Sequence, residues 1–208
     1  MLTRRTSMTM IGSAAISAAI LVAPTPLRHA WAQSPERAIT FVKTTSDQLI
    51  AIVNGAGSLQ EKRRELRAIL DSSVDVDDIA RFCLGRFWGT ATQEQQTEYV
   101  AMFHDLLVDK IANRLGAYRG AKVIMGQARA SADTEIVITQ IDRPGAEASR
   151  IDWVVGRATG SPMIVDLLAE GTSLRVTQAS DFGAYLARHQ YSVRALIDGM
   201  RQVVAQIQ

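Results

Sequence analysis

Downstream of residue 34, apolar positions first recur at helical spacing, and near Val123 they change to the alternation of strands. Ser34 reads as a helix cap with Pro35 at the first helical position. That helix carries Phe41, Leu49, Ile52 and Val53, and Asn54-Gly55 ends it. Ser58-Leu59-Gln60-Glu61 has the form of a capping box, followed by a helix with Leu66, Ile69 and Leu70 inside. Asp75 caps a third helix that holds Ile79, Phe82 and Cys83. Leu84-Gly85-Arg86-Phe87-Trp88-Gly89 is an aromatic knuckle between helices, and Thr92-Gln93-Glu94-Gln95 is a second capping box. Behind it runs the clearest apolar stripe in the chain: Tyr99, Met102, Phe103, Leu106, Leu107, Ile111, Leu115 and Tyr118, closed by Arg119-Gly120.

Strands then take over. Residues 123–130 form a weak first strand, and residues 134–141 are β-branched and apolar. Arg143-Pro144-Gly145 marks a turn. Residues 150–157 alternate, with Ile151, Trp153 and Val155 on one face. A turn at Thr159-Gly160-Ser161-Pro162 leads into a fourth strand over residues 163–168, interrupted by Asp166. Residues 174–177 extend the sheet or form an irregular edge. Ser180 and Asp181 open a helix with Phe182, Tyr185 and Leu186, and a last helix from about Ser192 carries Leu196, Met200, Val203, Val204 and Ile207. Helices, a meander and helices again predict an α+β fold. In it a curved, mostly antiparallel four-stranded sheet packs on the long helix, with further helices before and after, and the layers enclose an apolar space.

The N-terminus is read separately. Arg4 and Arg5 precede an apolar, small-residue run over residues 11–23, and Ala30-Trp31-Ala32 is a cleavage signal. The run falls short of the roughly 20 residues a membrane-spanning helix needs. A signal peptide over residues 1–32 is expected, with the mature chain, a single domain over residues 33–208, beginning at Gln33. Thr3-Arg4-Arg5-Thr6-Ser7-Met8 hints at twin-arginine export, although Ser7 stands where an aromatic or leucine is usual. Removing the leader takes away three arginines and no acid, so a net charge of +2 becomes −1. That balance excludes a nucleic-acid binder.

Little in the chain points to catalysis or metal. Cys83 is the only cysteine, so neither an internal disulfide nor a paired-cysteine zinc site can form. Outside the leader the histidines are His104 and His189, without a metal-ligand partner at helical spacing. His104 reads as a half-exposed helix residue beside Asp105, and His189 as a residue near a helix C-terminus. Cys83 falls on an apolar helix face, where free cysteine is inert. Asp75, Asp77 and Asp78 lack the spacing of a calcium loop and fit helix capping. There is no G-x-S-x-G elbow and no phosphate-cradling glycine loop.

Two stretches are specific. One is Leu84-Gly85-Arg86-Phe87-Trp88 followed by Ala91-Thr92-Gln93-Glu94-Gln95-Gln96 and Tyr99-Val100-Ala101-Met102-Phe103. The other is Asp166-Leu167-Leu168-Ala169-Glu170-Gly171-Thr172-Ser173-Leu174 running into Asp181-Phe182-Gly183-Ala184-Tyr185-Leu186. Together they resemble the toluene-tolerance/MlaC family of periplasmic phospholipid-binding proteins, with hopanoid-associated relatives sharing the pattern. In the last loop Gln190-Tyr191-Ser192 departs from the family's glycine-led turn. The resemblance implies a nuclear-transport-factor-like fold, an apolar cavity for lipid tails, and no cofactor or catalysed step. It also implies exchange of phospholipid with an inner-membrane MCE-domain/ABC transporter complex and an outer-membrane lipoprotein–porin complex. Candidate cavity residues are Val137, Trp153, Val155, Ile164 and Leu168 on the strands and Tyr99, Phe103, Leu107 and Ile111 on the long helix, each equally readable as ordinary core. Arg86 and Arg175 are candidates for a phosphate head group, beside the plainer reading of solvated arginine. Asp166 fits a hydrogen-bonded structural acid. A ligand-free adaptor and a hydrolase are the competing readings.

Overall fold

Capping chemistry sets most helix boundaries. The computed structural model describes residues 35–157 and 160–207. The expected leader, its cleavage after Ala32, the Ser34 cap and Thr159 of the second turn lie outside the described residues. Helix α1 spans Pro35–Asn54. Before α2 (Leu59–Ser73), the Ser58 hydroxyl accepts from the Glu61 N–H at 3.2 Å, and the Glu61 carboxylate accepts from the Ser58 N–H at 2.7 Å. These bonds hold the Glu61 carboxyl below its ordinary pKa. Asp75 accepts from the Asp78 N–H at 3.1 Å to open α3 (Val76–Leu84). The aromatic knuckle is a 3-10 segment, Gly85–Thr90, entered at Gly85 with φ +56°. Thr92 and Gln95 exchange the reciprocal bonds that start α4 (Gln93–Ala112).

The long helix ends earlier than its apolar stripe. It stops at Ala112, and Leu115–Tyr118 form a separate 3-10 turn. Asn113 and Gly116 are weak helix formers, and the tightened turn still buries Leu115 while redirecting the chain toward the sheet. The Asn54 side chain accepts from the Gly120 N–H at 3.0 Å, tying this corner to the end of α1.

The sheet is an antiparallel meander, β1 (Lys122–Ser131), β2 (Thr134–Asp142), β3 (Ser149–Arg157), β4 (Pro162–Ala169) and β5 (Thr172–Ser173), with strands in sequence order. It therefore has five strands where four were expected, the fifth being a two-residue edge. Residues 174–177 do not extend the sheet. They are the first turn of α5 (Leu174–Arg188), because the Ser173 hydroxyl accepts from the Val176 N–H at 3.1 Å and caps a helix there. The cap overrides the strand preference of Val176 and Thr177. Helix α6 spans Val193–Ile207.

Burial divides into three apolar clusters. Ala38 and Val42 of α1 lie on the sheet against Val137, Trp153, Val155 and Ile164. Helices α3 to α6 close around Tyr99, Phe103, Phe182, Leu186 and Ile197. The C-terminal half of α1 meets α2 and the end of α4 through Ile52, Leu66, Ala112 and Leu115. Val74 touches both the sheet cluster and the four-helix cluster, and Leu49 touches both clusters that α1 shares. Both are half-buried.

Candidate functional site

Antiparallel pairing places Val137 opposite Trp153 and Val155 opposite Ile164, so these four share one face beneath α1. The Trp153 indole N–H donates to Thr139 Oγ1 at 3.0 Å, and the Thr139 hydroxyl donates to the Ile151 carbonyl at 2.9 Å. A wide aromatic body thus sits in the sheet core with its polar atom satisfied.

Leu168 is on the other side. A bulge leaves Val165 unpaired between the Val154–Asp166 and Val155–Ile164 pairs, so the alternation that begins at Ile164 is broken. Leu167 then pairs with Trp153 and joins the α1-covered face, while Leu168 pairs with Asp152. A bulge has no periodic signature, so strict alternation selected the wrong leucine of the pair for that face.

On the helical side, Tyr99, Phe103 and Phe182 form an aromatic trio, each pair of ring centroids 6.1 Å apart. The Tyr99 hydroxyl donates to the Ala80 carbonyl at 2.9 Å, and burial pushes its pKa up. Leu107 is half-buried against this four-helix cluster, whereas Ile111 packs on the α1–α2 cluster. The nine candidate cavity residues are therefore distributed over three clusters and the second face of the sheet.

Two concavities among the described residues lie elsewhere. One, of about 770 Å³, runs between α2 and α4 and is lined by Arg63, Arg64, Arg67, Asp105 and Asp109 among others. The other, of about 330 Å³, is a notch on α1 at Glu36, Arg37, Thr40 and Phe41. Neither is the enclosed apolar space expected between sheet and helices. Val74 and Leu49, the residues that the clusters share, are half-buried.

Charge is concentrated between α2 and α4. Arg63 pairs with the buried Asp109 at 3.0 Å, and Arg67 pairs with Asp105. His104 bridges the same two helices, its Nδ1 at 2.8 Å from Arg67 and its Nε2 at 2.7 Å from Asp71. Histidine at this position is held by both signs of charge, which a helix-by-helix reading could not reveal.

The two head-group candidates have other contacts. Arg175 lies 4.5 Å over the Phe82 ring and 3.6 Å from Asp166. Arg86 lies over the rings of Phe87 and Tyr191 at 4.9 and 5.8 Å. Asp166 itself accepts from the N–H groups of Leu167 and Arg175 at 2.8 and 3.1 Å and from the Ser173 hydroxyl at 2.5 Å. It is a structural acid that locks the strand to the start of α5.

Burial pushes the Cys83 thiol up to about 12, so it stays protonated and is a poor nucleophile. Partial desolvation lowers the Lys110 pKa, and the Lys110 ammonium donates to the Gln178 amide oxygen at 2.8 Å. Among the described residues no group of three or more His, Cys, Asp or Glu side chains is placed to hold a metal ion. No helix among them is long and apolar enough to cross a membrane.

A meander under one helix, joined to a four-helix cluster by a cap on Asp166, can be compared with known proteins as a whole. The family model described as MlaC protein matches residues 43–202. The chain belongs to the MlaC family. A solved structure of the same fold is the phospholipid-binding protein from Ralstonia solanacearum, in complex with a phospholipid. It aligns with a TM-score of 0.70 at 25% identity, covering 82% of this chain and 98% of that one. Both specific sequence stretches, residues 84–103 and 166–186, fall inside the span that the MlaC model matches.

Proposed function

We propose that this MlaC-family chain is a periplasmic phospholipid carrier, exported with cleavage after Ala32. It takes lipid tails between the sheet and the helices and passes them between an inner-membrane MCE-domain/ABC transporter complex and an outer-membrane lipoprotein–porin complex. It acts by binding and release, with no chemical step. The observation that carries this reading is the shared fold with a protein solved in complex with a phospholipid, nearly the whole of which this chain covers.

Energetics make a sheath necessary. Each buried methylene is worth about 0.8 kcal/mol, so a tail of roughly 15 carbons costs on the order of 10 kcal/mol to expose to water. The divided core supports the reading from the protein's side. A single domain usually has one contiguous core, whereas here three clusters border one another at half-buried Leu49 and Val74. Such a seam can part around a hydrocarbon chain at less cost than a close-packed centre. Trp153, Val155 and Val137 would then form the sheet wall, with Phe103, Leu107 and Ile111 on the helical side. Arg175 is the better placed of the two arginines for a phosphate, since its partner Asp166 is already satisfied by three other donors.

Protein purified from a bacterial host should bring lipid with it, and mass spectrometry of an organic extract reads this directly. Glycerophospholipid and hopanoid masses separate the two cargo classes. A Leu107→Asp variant should lose most of the lipid while melting cooperatively, like the delipidated parent. An extract without stoichiometric lipid favours an adaptor that works through protein contacts alone, and parallel loss of lipid and folding returns Leu107 to plain core.

A further inference from the structure

Four of the large apolar side chains left exposed by the fold, Phe82, Leu174, Val176 and Tyr191, come from α3, the first turn of α5 and the α5–α6 turn. Arginines lie on aromatic rings beside them. Arg175 covers Phe82 at 4.5 Å and is flanked in sequence by Leu174 and Val176. Arg86 covers Phe87, which stacks on Tyr191 with centroids 5.7 Å apart, and Arg81 lies 4.8 Å over Trp88. The knuckle at residues 85–90 and the α5–α6 turn thus form one amphipathic surface.

Its arginines differ in their partners. Arg175 is 3.9 Å from Asp78 and 3.6 Å from Asp166, but Arg81 and Arg86 have ring contacts and no ion pair among the described residues. Its backbone is held against preference. Gln190 and Tyr191 take successive left-handed conformations, φ 54° and 58°, which glycine adopts freely and a tyrosine does not. The conformation keeps the Tyr191 ring on Phe87 with more than half of its surface in solvent (54% exposed).

We propose that this surface docks on an anionic lipid bilayer. Aromatic and aliphatic tips suit the head-group boundary, and guanidinium groups that have no carboxylate partner suit lipid phosphates and other anionic head groups. Ring-backed arginine keeps its apolar stem covered while the charge faces out. The choice of a bilayer as occupant rests on the carrier reading, because a lipid carrier has to meet a membrane surface or the complexes in it.

The test uses the exported protein purified from a bacterial host, its N-terminus read by intact mass, and flotation with vesicles. Vesicles of phosphatidylglycerol and phosphatidylcholine mixed should carry the protein up the gradient, those of phosphatidylcholine alone much less, and salt should release it. Arg81→Gln should weaken the association about fivefold, the value expected for one basic residue at an anionic surface. Tyr191→Gly, which suits the left-handed turn and removes only the ring, should weaken it as well. Both variants should retain their co-purified lipid. Absence of flotation with the anionic vesicles, or variants that float like the parent, overturns the proposal, and binding of an acidic protein partner at this surface then becomes its replacement. Lipid found in the extract alongside failed flotation leaves the carrier reading standing, so the two failures are told apart.

Discussion

Asp166 shows what one polar residue does in an apolar strand. Its carboxylate is 6% exposed and takes two backbone N–H bonds and the Ser173 hydroxyl, with the Arg175 guanidinium nearby. Charge-assisted bonds of this kind are individually worth about 1.5–3 kcal/mol. Asp166→Ala should therefore destabilise the protein by about 3 kcal/mol and loosen the start of α5, as read by chemical denaturation and by amide exchange at Arg175 and Val176. Asp166→Asn keeps an acceptor and should cost less. The residue could be recognised from sequence as an acid needing partners, because a carboxylate amid Ile164, Val165, Leu167 and Leu168 has few alternatives. Two of its partners, Ser173 and Arg175, could not, since they come from the next edge strand and the following helix. Thr139 went unnoticed for a related reason. A threonine in a strand is ordinary, and only its bond to the Trp153 indole gives it a task.

At the scale of elements, local chemistry was a good guide wherever donor and acceptor are close in sequence. The Ser58–Glu61 and Thr92–Gln95 boxes and the Asp75 cap all form as read. Thr92→Ala should cost about 1 kcal/mol by removing the hydroxyl that accepts from Gln95, measurable as a lower denaturation midpoint with an unchanged slope. Elements failed to follow pattern where context intervened. The α4 stripe continues to Leu115 and Tyr118, yet the helix ends at Ala112 because burial of Leu115 is kept by a tighter turn. Helix α5 begins at Leu174, seven residues before Asp181, because Ser173 can both cap it and bond Asp166. The bulge at Val165 exchanged Leu167 for Leu168 on the α1-covered face.

For the whole molecule, the division of the core has a consequence for stability. A lipid tail lying along the seam between the sheet cluster and the four-helix cluster would contact both and bind only the folded chain. Binding to the native state alone raises stability by mass action, about 2.7 kcal/mol at a hundredfold excess over Kd. The lipid-loaded protein should melt several degrees above the delipidated protein, with calorimetry as the measurement; equal melting temperatures would show that lipid does not bind the folded chain in preference to the unfolded one, against the carrier reading. The sequence by itself determined the α+β order, the capped starts of α2, α3 and α4, the antiparallel meander and the family, because each rests on short-range periodicity or on residues near one another in the chain. Tertiary structure alone decided which apolar residues meet. Trp153 and Phe103 read alike as inward aromatics, yet one lies under α1 and the other against Phe182. Periodicity reports that a side chain is removed from water; what stands opposite it depends on how distant elements stack. The same holds for Arg81, Arg86 and Tyr191, whose common surface exists only after the α5–α6 turn folds back onto the knuckle that follows α3.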